Sequence, residues 1–277
     1  LWKTSWRATS EGRKRLVRVA FDFPQDLLGK DHPVEMTVIP GDGEQLVVSS
    51  GCTTRILDRS MSTVLSFKSD DSLGVFAADE QSIYAIARGA HVRLTHSGTE
   101  VTSYDDDDDD YEGYCPVLAP GGLLFCVRYE ADDDYQLDEI LCLDAQSLQI
   151  RHRFGLSLLN DARGLAVIGE ELFVCDRKND RLQVFSLDGE HRRSITGEWK
   201  RPSGLCFVKD RLYLVEQNCV GDNEQHEDDG RYDPLCGRRI FALSLQGDVL
   251  QVYPIPVEEN RFHRFSGSLC YFDGKLL

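Results

Sequence analysis

The chain has no apolar run that approaches the ~18 residues a membrane-spanning helix needs, although apolar residues make up 41% of its 277 residues. It shows neither a signal-peptide pattern nor the periodicity of an amphipathic helix. It does not begin with methionine, so we expect the natural N-terminus to lie upstream. These absences favour a single large domain without helices and without a membrane partner.

Positive charge is scarce. There are 31 Lys and Arg residues against 47 Asp and Glu residues, which gives a formal net charge of −16. Binding to a phosphate backbone requires a dominant positive field. The composition therefore argues against a nucleic-acid partner.

A motif recurs at an offset of forty residues. Residues 163–168, followed after three residues by 172–174, match residues 203–208 and 212–214. Weaker copies also occur, so that six repeats begin near residues 35, 73, 115, 163, 203 and 267. Short apolar runs separated by turn residues, repeated at this period, are typical of stacked antiparallel sheets. The pattern predicts an all-β, six-bladed β-propeller of four-stranded antiparallel blades.

The fourth repeat has the clearest strand pattern. We expect its four strands at about 163–168, 171–176, 181–187 and 191–195. The last blade is truncated, because the chain stops inside its second strand. Residues 16–23 are the only unassigned strand-like run, and we expect them to close that blade as its outermost strand. The propeller would then span 16–277, with 1–15 as a flexible N-terminal segment.

Two stretches of the fourth and fifth repeats resemble a known family. Residues 173–189 and 201–206 are similar to the repeat of NHL proteins, which has a Pro-x-Gly-apolar element and then Asp, Asn, Arg and an apolar-Gln-Val-Phe run before Asp-Gly. The match is specific over about 160–215, whereas the first three blades lack the diagnostic Asn and Arg. The resemblance implies a six-bladed propeller that commonly serves as the partner-binding module of a larger protein. It implies no single chemistry.

Acidic residues are concentrated in three connections. Between Glu100 and Asp144 there are fifteen acidic residues and one arginine, a net charge of −14. The acidic segments at 105–112, 131–139 and 219–236 all join strands at the same end of their blades, so we expect them on one face. They are either solvated loops or a surface that attracts a basic protein segment or a weakly held divalent metal. The candidate partner-binding residues of the first segment are Asp105, Asp107 and Asp109.

That first segment is not an EF-hand. It lacks glycine at the sixth position, and the twelfth position, counted from Asp105, falls on Pro116 rather than on glutamate. No dedicated calcium loop is therefore expected there.

The fourth blade carries the opposite charge. From Arg151 to Arg211 there are twelve basic and nine acidic residues. Four of these cations are expected on the loop face as partner-binding residues: Arg163, Arg177, Lys200 and Arg201. The alternative is an ordinary solvated surface. Arg163 would lie beside the central channel, where a guanidinium can bind a carboxylate or phosphate bidentately.

The enzymes that share this architecture provide the alternative function. Gluconolactonase and regucalcin-like lactonases hold a divalent metal within Pro-Asn-Gly and Pro-Asp-Gly motifs, which here read Ala162-Arg163-Gly164 and Pro202-Ser203-Gly204. The zinc-bound histidines of peptidylglycine amidating lyase align with the same Arg163 and Ser203. A hydrolase or lyase site is thus unsupported by the residues, and we expect no catalytic residue, metal or cofactor. The favoured function is a protein-binding or peptide-binding scaffold.

The nine cysteines contain no Cys-x-x-Cys pair. Several, including Cys126 and Cys175, fall within strands and are expected to be reduced core residues, which favours a cytoplasmic or nuclear location. Cys219 and Cys236 differ, because they bracket an eighteen-residue insertion in the fifth repeat. A disulfide between them would contribute ~3 kcal/mol, and both redox states remain open.

Overall fold

The computed structural model describes the chain in eight stretches: residues 2–8, 14–20, 34–87, 90–104, 111–130, 138–216, 239–254 and 269–276. The chain divides into two compact units. The first contains residues 1–105, 146–148 and 269–277, and the second contains residues 106–145 and 149–268. Within the described stretches the regular structure is almost entirely β, and the one helix is a single 3-10 turn at Arg177–Asn179.

The first unit opens with a hairpin of β1 (Trp2–Ala8) and β2 (Lys14–Ala20). Two four-stranded antiparallel sheets follow, each with its strands in chain order. Sheet 1 consists of β3 (Val34–Ile39), β4 (Gln45–Ser50), β5 (Thr53–Leu57) and β6 (Thr63–Lys68). Sheet 2 consists of β7 (Leu73–Ala78), β8 (Ser82–Ala87), β9 (Ala90–Thr95) and β10 (Glu100–Tyr104).

The second unit contains three more sheets of the same kind. Sheet 3 consists of β11 (Tyr111–Ala119), β12 (Leu123–Glu130), β13 (Asp138–Asp144) and β14 (Ile150–Leu159). Sheet 4 consists of β15 (Ala162–Ile168), β16 (Glu171–Asp176), β17 (Arg181–Ser186) and β18 (His191–Thr196). Sheet 5 consists of β19 (Pro202–Val208), β20 (Arg211–Glu216), β21 (Arg239–Leu243) and β22 (Val249–Pro254).

The chain ends in a short hairpin of β23 (Tyr271–Phe272) and β24 (Lys275–Leu276). Cys270 and Phe272 pack against the apolar face of sheet 1, beside Leu46. Strand β1 lies next to β24. Residues 1–15 were expected to be a flexible segment, whereas the structure places β1 there, paired with β2.

The core lies between neighbouring sheets. The middle strands are buried on both faces because they are rich in branched and aromatic residues, as in β16, where Leu172 to Asp176 are all buried. In the second unit one apolar cluster joins sheets 3 and 4 and another joins sheets 4 and 5. The first strands β11, β15 and β19 lie side by side. This stacking brings the ends of sheets 3, 4 and 5 together.

The buried cysteines are part of this core. Cys126, Cys142 and Cys175 lie in β12, β13 and β16 and have no exposed surface. Cys219 and Cys236 lie outside the described residues, so their disulfide remains a prediction. No helix in the described stretches is long and apolar enough to span a membrane.

Candidate functional site at the loop ends of sheets 3 to 5

The second strand of sheet 4 ends on a carboxylate that solvent does not reach. Asp176, the last residue of β16, is fully buried. Its oxygens accept hydrogen bonds from the backbone N–H of Asn160 at 2.8 Å and from the amide of Asn179 at 2.9 and 3.0 Å. They also accept one from Nε of Arg181 at 2.6 Å. Because a buried carboxylate is stable only when its lone pairs are satisfied, these donors fix the loop before β15 to the turn after β16.

The same arrangement recurs in sheet 5. Glu216, the last residue of β20, is fully buried and accepts hydrogen bonds from the backbone N–H of Lys200 at 2.7 Å and from Arg239 at 2.7 and 2.9 Å. Glu216 follows Asp176 by forty residues, the offset of the sequence repeat. We call this unit a carboxylate corner: a buried acid at the end of the second strand, joined to an arginine at the start of the third. The corner is therefore encoded in the repeat.

A third buried acid lies in the loop between sheets 3 and 4. Asp161 has a φ of 55°, a left-handed conformation that aspartate tolerates better than most residues. Its carboxylate accepts a hydrogen bond from Nε of Arg163 at 2.8 Å and also pairs with Nη1 of Arg177. Arg163 and Arg177, predicted from the sequence as neighbours on one face, are thus brought together on a single acid.

The other two predicted residues, Lys200 and Arg201, both donate hydrogen bonds to Asp180. This residue follows the 3-10 turn and also has a positive φ, of 52°. It accepts hydrogen bonds from Nζ of Lys200 at 2.9 Å and from the backbone N–H of Arg201 at 2.7 Å. The connection from sheet 4 to sheet 5 therefore lies against the turn between β16 and β17, as expected for loops that share one face.

Charge is layered at these loop ends. The side chains of Asp161 and Asp176 are 5% and 0% exposed, whereas their partners Arg163 and Arg181 are 33% and 31% exposed. The acids lie beneath and the cations face the solvent. Lys200 is about half exposed. Arg177 is an exception because it is buried together with Asp161, with which it forms an ion pair.

One acid in this region has a perturbed pKa. Asp138, at the start of β13, is buried, and its carboxylate accepts the backbone N–H of Ala162 at 2.5 Å. Burial raises the pKa of the Asp138 carboxyl to about 6, although the Ala162 N–H and the charge of Arg163 act in the opposite direction. Asp138 can therefore change its protonation state near neutral pH.

The remaining predicted site residues are placed differently. Asp105, Asp107 and Asp109 lie outside the described residues, as does the insertion at 219–236, so the acidic face remains a prediction. Ser203 is buried and donates a hydrogen bond to the carbonyl oxygen of Val215 at 3.3 Å. Among the residues that the structure describes, no three His, Cys, Asp or Glu side chains are grouped to hold a metal ion.

The four cations were predicted from the sequence, but the acids that pair with them were not. Asp161, Asp180 and Glu216 were not singled out. The acids at 176 and 216 are separated by the repeat offset, so a signal for the corners was present. For Asp161 and Asp180 the signal was weaker, because an aspartate in a loop is compatible with many roles.

No protein-family model matches the chain, and no curated protein sequence matches it. Solved structures do. A calcium-binding protein, regucalcin, from Agrobacterium tumefaciens is 10% identical, with a TM-score of 0.61 over 87% of this chain and 79% of its own. A protein of unknown function from Bacteroides caccae is 11% identical, with a TM-score of 0.53 over 80% and 73%. The computationally designed Ika8 protein is 12% identical, with a TM-score of 0.51 over 87% and 69%.

At these identities the likeness concerns the fold alone. Together with the four-stranded antiparallel sheets, it shows that the chain has the β-propeller fold. Sheets 1 to 5 are blades of that fold, and their strand order agrees with the sequence prediction of an all-β propeller.

Proposed function

We propose that this chain is a non-catalytic, NHL-like propeller that binds another protein through the loop ends of its blades. The observation that carries this proposal is the placement of charge at the loop end of sheet 4. Arg163 and Arg181 are held by the buried acids Asp161 and Asp176, and the half-exposed Lys200 is held by the partly exposed Asp180. Preorganised charges lose little side-chain entropy when a partner binds, which favours specific recognition.

The proposed contact residues are Arg163, Lys200 and Arg201, with Arg177 holding Asp161 in place. They would receive an acidic group of the partner. The run that contains Asp105, Asp107 and Asp109 would attract a basic segment of the same partner, since long-range attraction between opposite charges steers association.

The experiment uses two fluorescent peptides, one rich in glutamate and one rich in lysine, in fluorescence polarisation. The variant Lys200→Gln should weaken binding of the acidic peptide several-fold. Replacing all six aspartates of the run 105–110 by serine should weaken binding of the basic peptide. Both affinities should fall as added salt shortens the Debye length from ~10 Å at 0.1 M to ~3 Å at 1 M.

The matched control is Arg192→Gln. Arg192 is as exposed as Lys200 and is also paired with an acid, but it lies on the outer strand β18. If Arg192→Gln and Lys200→Gln reduce the affinity for the acidic peptide equally, binding depends only on the net charge of the protein and the proposed site is wrong.

A second candidate function is a hydrolase or lyase. The observation that favours it is Asp138, a buried acid whose pKa of about 6 suits proton transfer near neutral pH. Against it, Arg163 and Ser203 occupy the positions that provide metal ligands in the lactonases. Metal analysis of the purified protein separates the two functions, because a tight, stoichiometric metal would favour the enzyme.

A further inference from the structure

The outer strand of sheet 3 leaves regular pairing near its end. Leu159 of β14 pairs with Asp138, and Phe154 pairs with Ile140. Four residues, 155–158, therefore lie opposite the single residue Glu139. We call this segment the leucine bulge. Bulges re-aim side chains and interrupt strand pairing, and they are often found beside functional sites.

The backbone of the leucine bulge is strained. Gly155 has a φ of 87° and Ser157 has a φ of 67°, which is uncommon for a residue with a side chain. Leu159 is buried in the core at one end of the bulge, and Nη2 of Arg181 donates a hydrogen bond to the carbonyl oxygen of Leu158 at 3.1 Å. The segment is thus anchored, and its shape is imposed by the surrounding structure.

The bulge exposes two leucines to solvent. Leu156 is 52% exposed and Leu158 is 41% exposed. They are two residues apart on a segment whose conformation is costly to maintain. Val249 and Leu250 of β22 are similarly exposed, but β22 remains paired around them, because Val249 pairs with Leu243 and Gln251 pairs with Ala242.

Cations border the leucine bulge. Arg181, which contacts Leu158, is about one-third exposed. The exposed Lys178 lies nearby, because its backbone N–H bonds to the carbonyl oxygen of Asn160 at 3.1 Å, just beyond the end of β14. An apolar surface bordered by positive charge is complementary to a segment that carries apolar and acidic side chains together.

We propose that the leucine bulge, with Arg181 and Lys178, is a docking site for a short extended segment of a partner protein that carries two apolar side chains and an adjacent acidic residue. Because the bulge interrupts the strand edge, a long strand from a second copy of this chain would not pair along it. The proposal rests on the function proposed above and adds an apolar anchor beside its cations.

The probe is a library of random twelve-residue peptides displayed on phage and selected on the intact protein. Enriched peptides should share apolar and acidic residues, and their affinity is then measured by fluorescence polarisation. Leu156→Ser combined with Leu158→Ser should reduce that affinity at least tenfold. Lys178→Glu should reduce it by a smaller factor that disappears in high salt.

The matched control is Val249→Ser combined with Leu250→Ser, which removes similar exposed apolar surface from β22 and should leave binding unchanged. Circular dichroism and melting curves confirm that each variant is folded. The proposal would be overturned if no peptides are enriched or if the enriched peptides lack acidic residues. It would also be overturned if the bulge variant binds the selected peptides as tightly as the native chain does. So would a dimer of the intact chain that the bulge variant dissociates.

The two proposals fail separately. If selected peptides lose affinity on Lys200→Gln but not on the bulge variant, the loop-end function stands and the leucine bulge is not its anchor. If they lose affinity on the bulge variant alone, the bulge stands as a docking site and the role of Lys200 is wrong.

Discussion

At the scale of single residues, Gly164 of β15 lies directly against the backbone of β19. A Cβ atom on Gly164 would lie 2.6 Å from the carbonyl oxygen of Ser203 and 2.8 Å from Cα of Gly204. Both atoms belong to the backbone of β19 and cannot rotate away. We expect Gly164→Ala to reduce the free energy of unfolding by ~1–3 kcal/mol, measured by urea denaturation.

The control for this substitution is Gly43→Ala. A Cβ atom at Gly43 would meet nothing within 4 Å, so its effect should stay within about 0.5 kcal/mol. Equal effects of the two substitutions would show that β15 and β19 are not in close contact at Gly164.

Asp138 links a single residue to the pH dependence of stability. Its pKa is raised from 3.8 to about 6. Between these values the folded state binds more protons than the unfolded state, so this group's contribution to stability is complete below pH ~4 and is lost as the pH rises through ~6. Asp138→Asn lacks the titration. We therefore expect the variant to gain up to ~2 kcal/mol relative to the native chain between pH 4 and 7.

The measurement is urea denaturation of both proteins at several pH values, using the difference between their free energies of unfolding. Other groups titrate equally in both proteins and cancel. A difference that stays constant from pH 4 to pH 7 would contradict the raised pKa.

At the scale of elements, the carboxylate corners join each second strand to the loops around it. Replacing Asp176 by alanine would leave the backbone N–H of Asn160 and the guanidinium of Arg181 without their shared acceptor. Loss of one partner in a buried charged network costs ~3–5 kcal/mol. Asp176→Asn keeps an acceptor oxygen and should cost less than Asp176→Ala, as measured by urea denaturation.

The corner in sheet 5 tests whether the repeat is general. Glu216→Ala should reduce the free energy of unfolding more than Glu216→Gln does. The reason is that Glu216 is as buried as Asp176 and accepts hydrogen bonds from the same kinds of donor, a backbone N–H and an arginine. If either alanine variant is as stable as the native chain, the corner does not hold its loop.

Strand positions were well predicted in sheet 4. The expected strands at 163–168, 171–176, 181–187 and 191–195 compare with Ala162–Ile168, Glu171–Asp176, Arg181–Ser186 and His191–Thr196. These strand bounds were predictable because they are set by local signals, the apolar alternation and the Asp188-Gly189 turn, each of which spans only a few residues. The leucine bulge in β14 was not predicted, because Leu156 and Leu158 alternate with smaller residues just as a regular strand would.

At the scale of the whole molecule, the ends of the chain lie close together. Phe272 is buried against sheet 1, and β1 lies next to β24. We propose that β23, β24, β1 and β2 form the last blade, with β2 (Lys14–Ala20) as the outermost strand. This keeps the expected closure by residues 16–23 and adds β1 as the third strand of a blade that was expected to be truncated.

Removing residues 1–20 tests this closure. The deletion should lower the midpoint of urea unfolding and speed hydrogen exchange at the backbone of β24, because a paired strand would be lost. Phe272→Ala is a positive reference and should cost ~3 kcal/mol. An unchanged midpoint after the deletion would show that the hairpin of β1 and β2 is independent of the last blade.

Periodicity in the sequence was sufficient to predict the propeller class. Forty-residue repeats of short apolar strands cannot bury their faces singly, so they stack. The sequence also predicted Arg163, Lys200 and Arg201 on one face, from their positions at strand ends and in loops, and their role in binding a partner remains a prediction. The NHL assignment remains a prediction, since no family model matches the chain. The acidic face also remains a prediction, but Asp138 and Glu139 of its second segment are buried at the start of β13 rather than exposed on a loop.

Tertiary structure alone decided which acids support those cations and where the backbone bulges. Asp161 meets Arg177 across sixteen residues, and Asp180 meets Lys200 across twenty. Such pairs depend on how neighbouring sheets stack, which no local pattern specifies. The sequence by itself determined the class of fold through short-range periodicity. The buried acids follow from packing, because an unpaired buried charge is costly and the surrounding chain must supply its partners. The leucine bulge also depends on packing, since the surrounding structure imposes its backbone conformation.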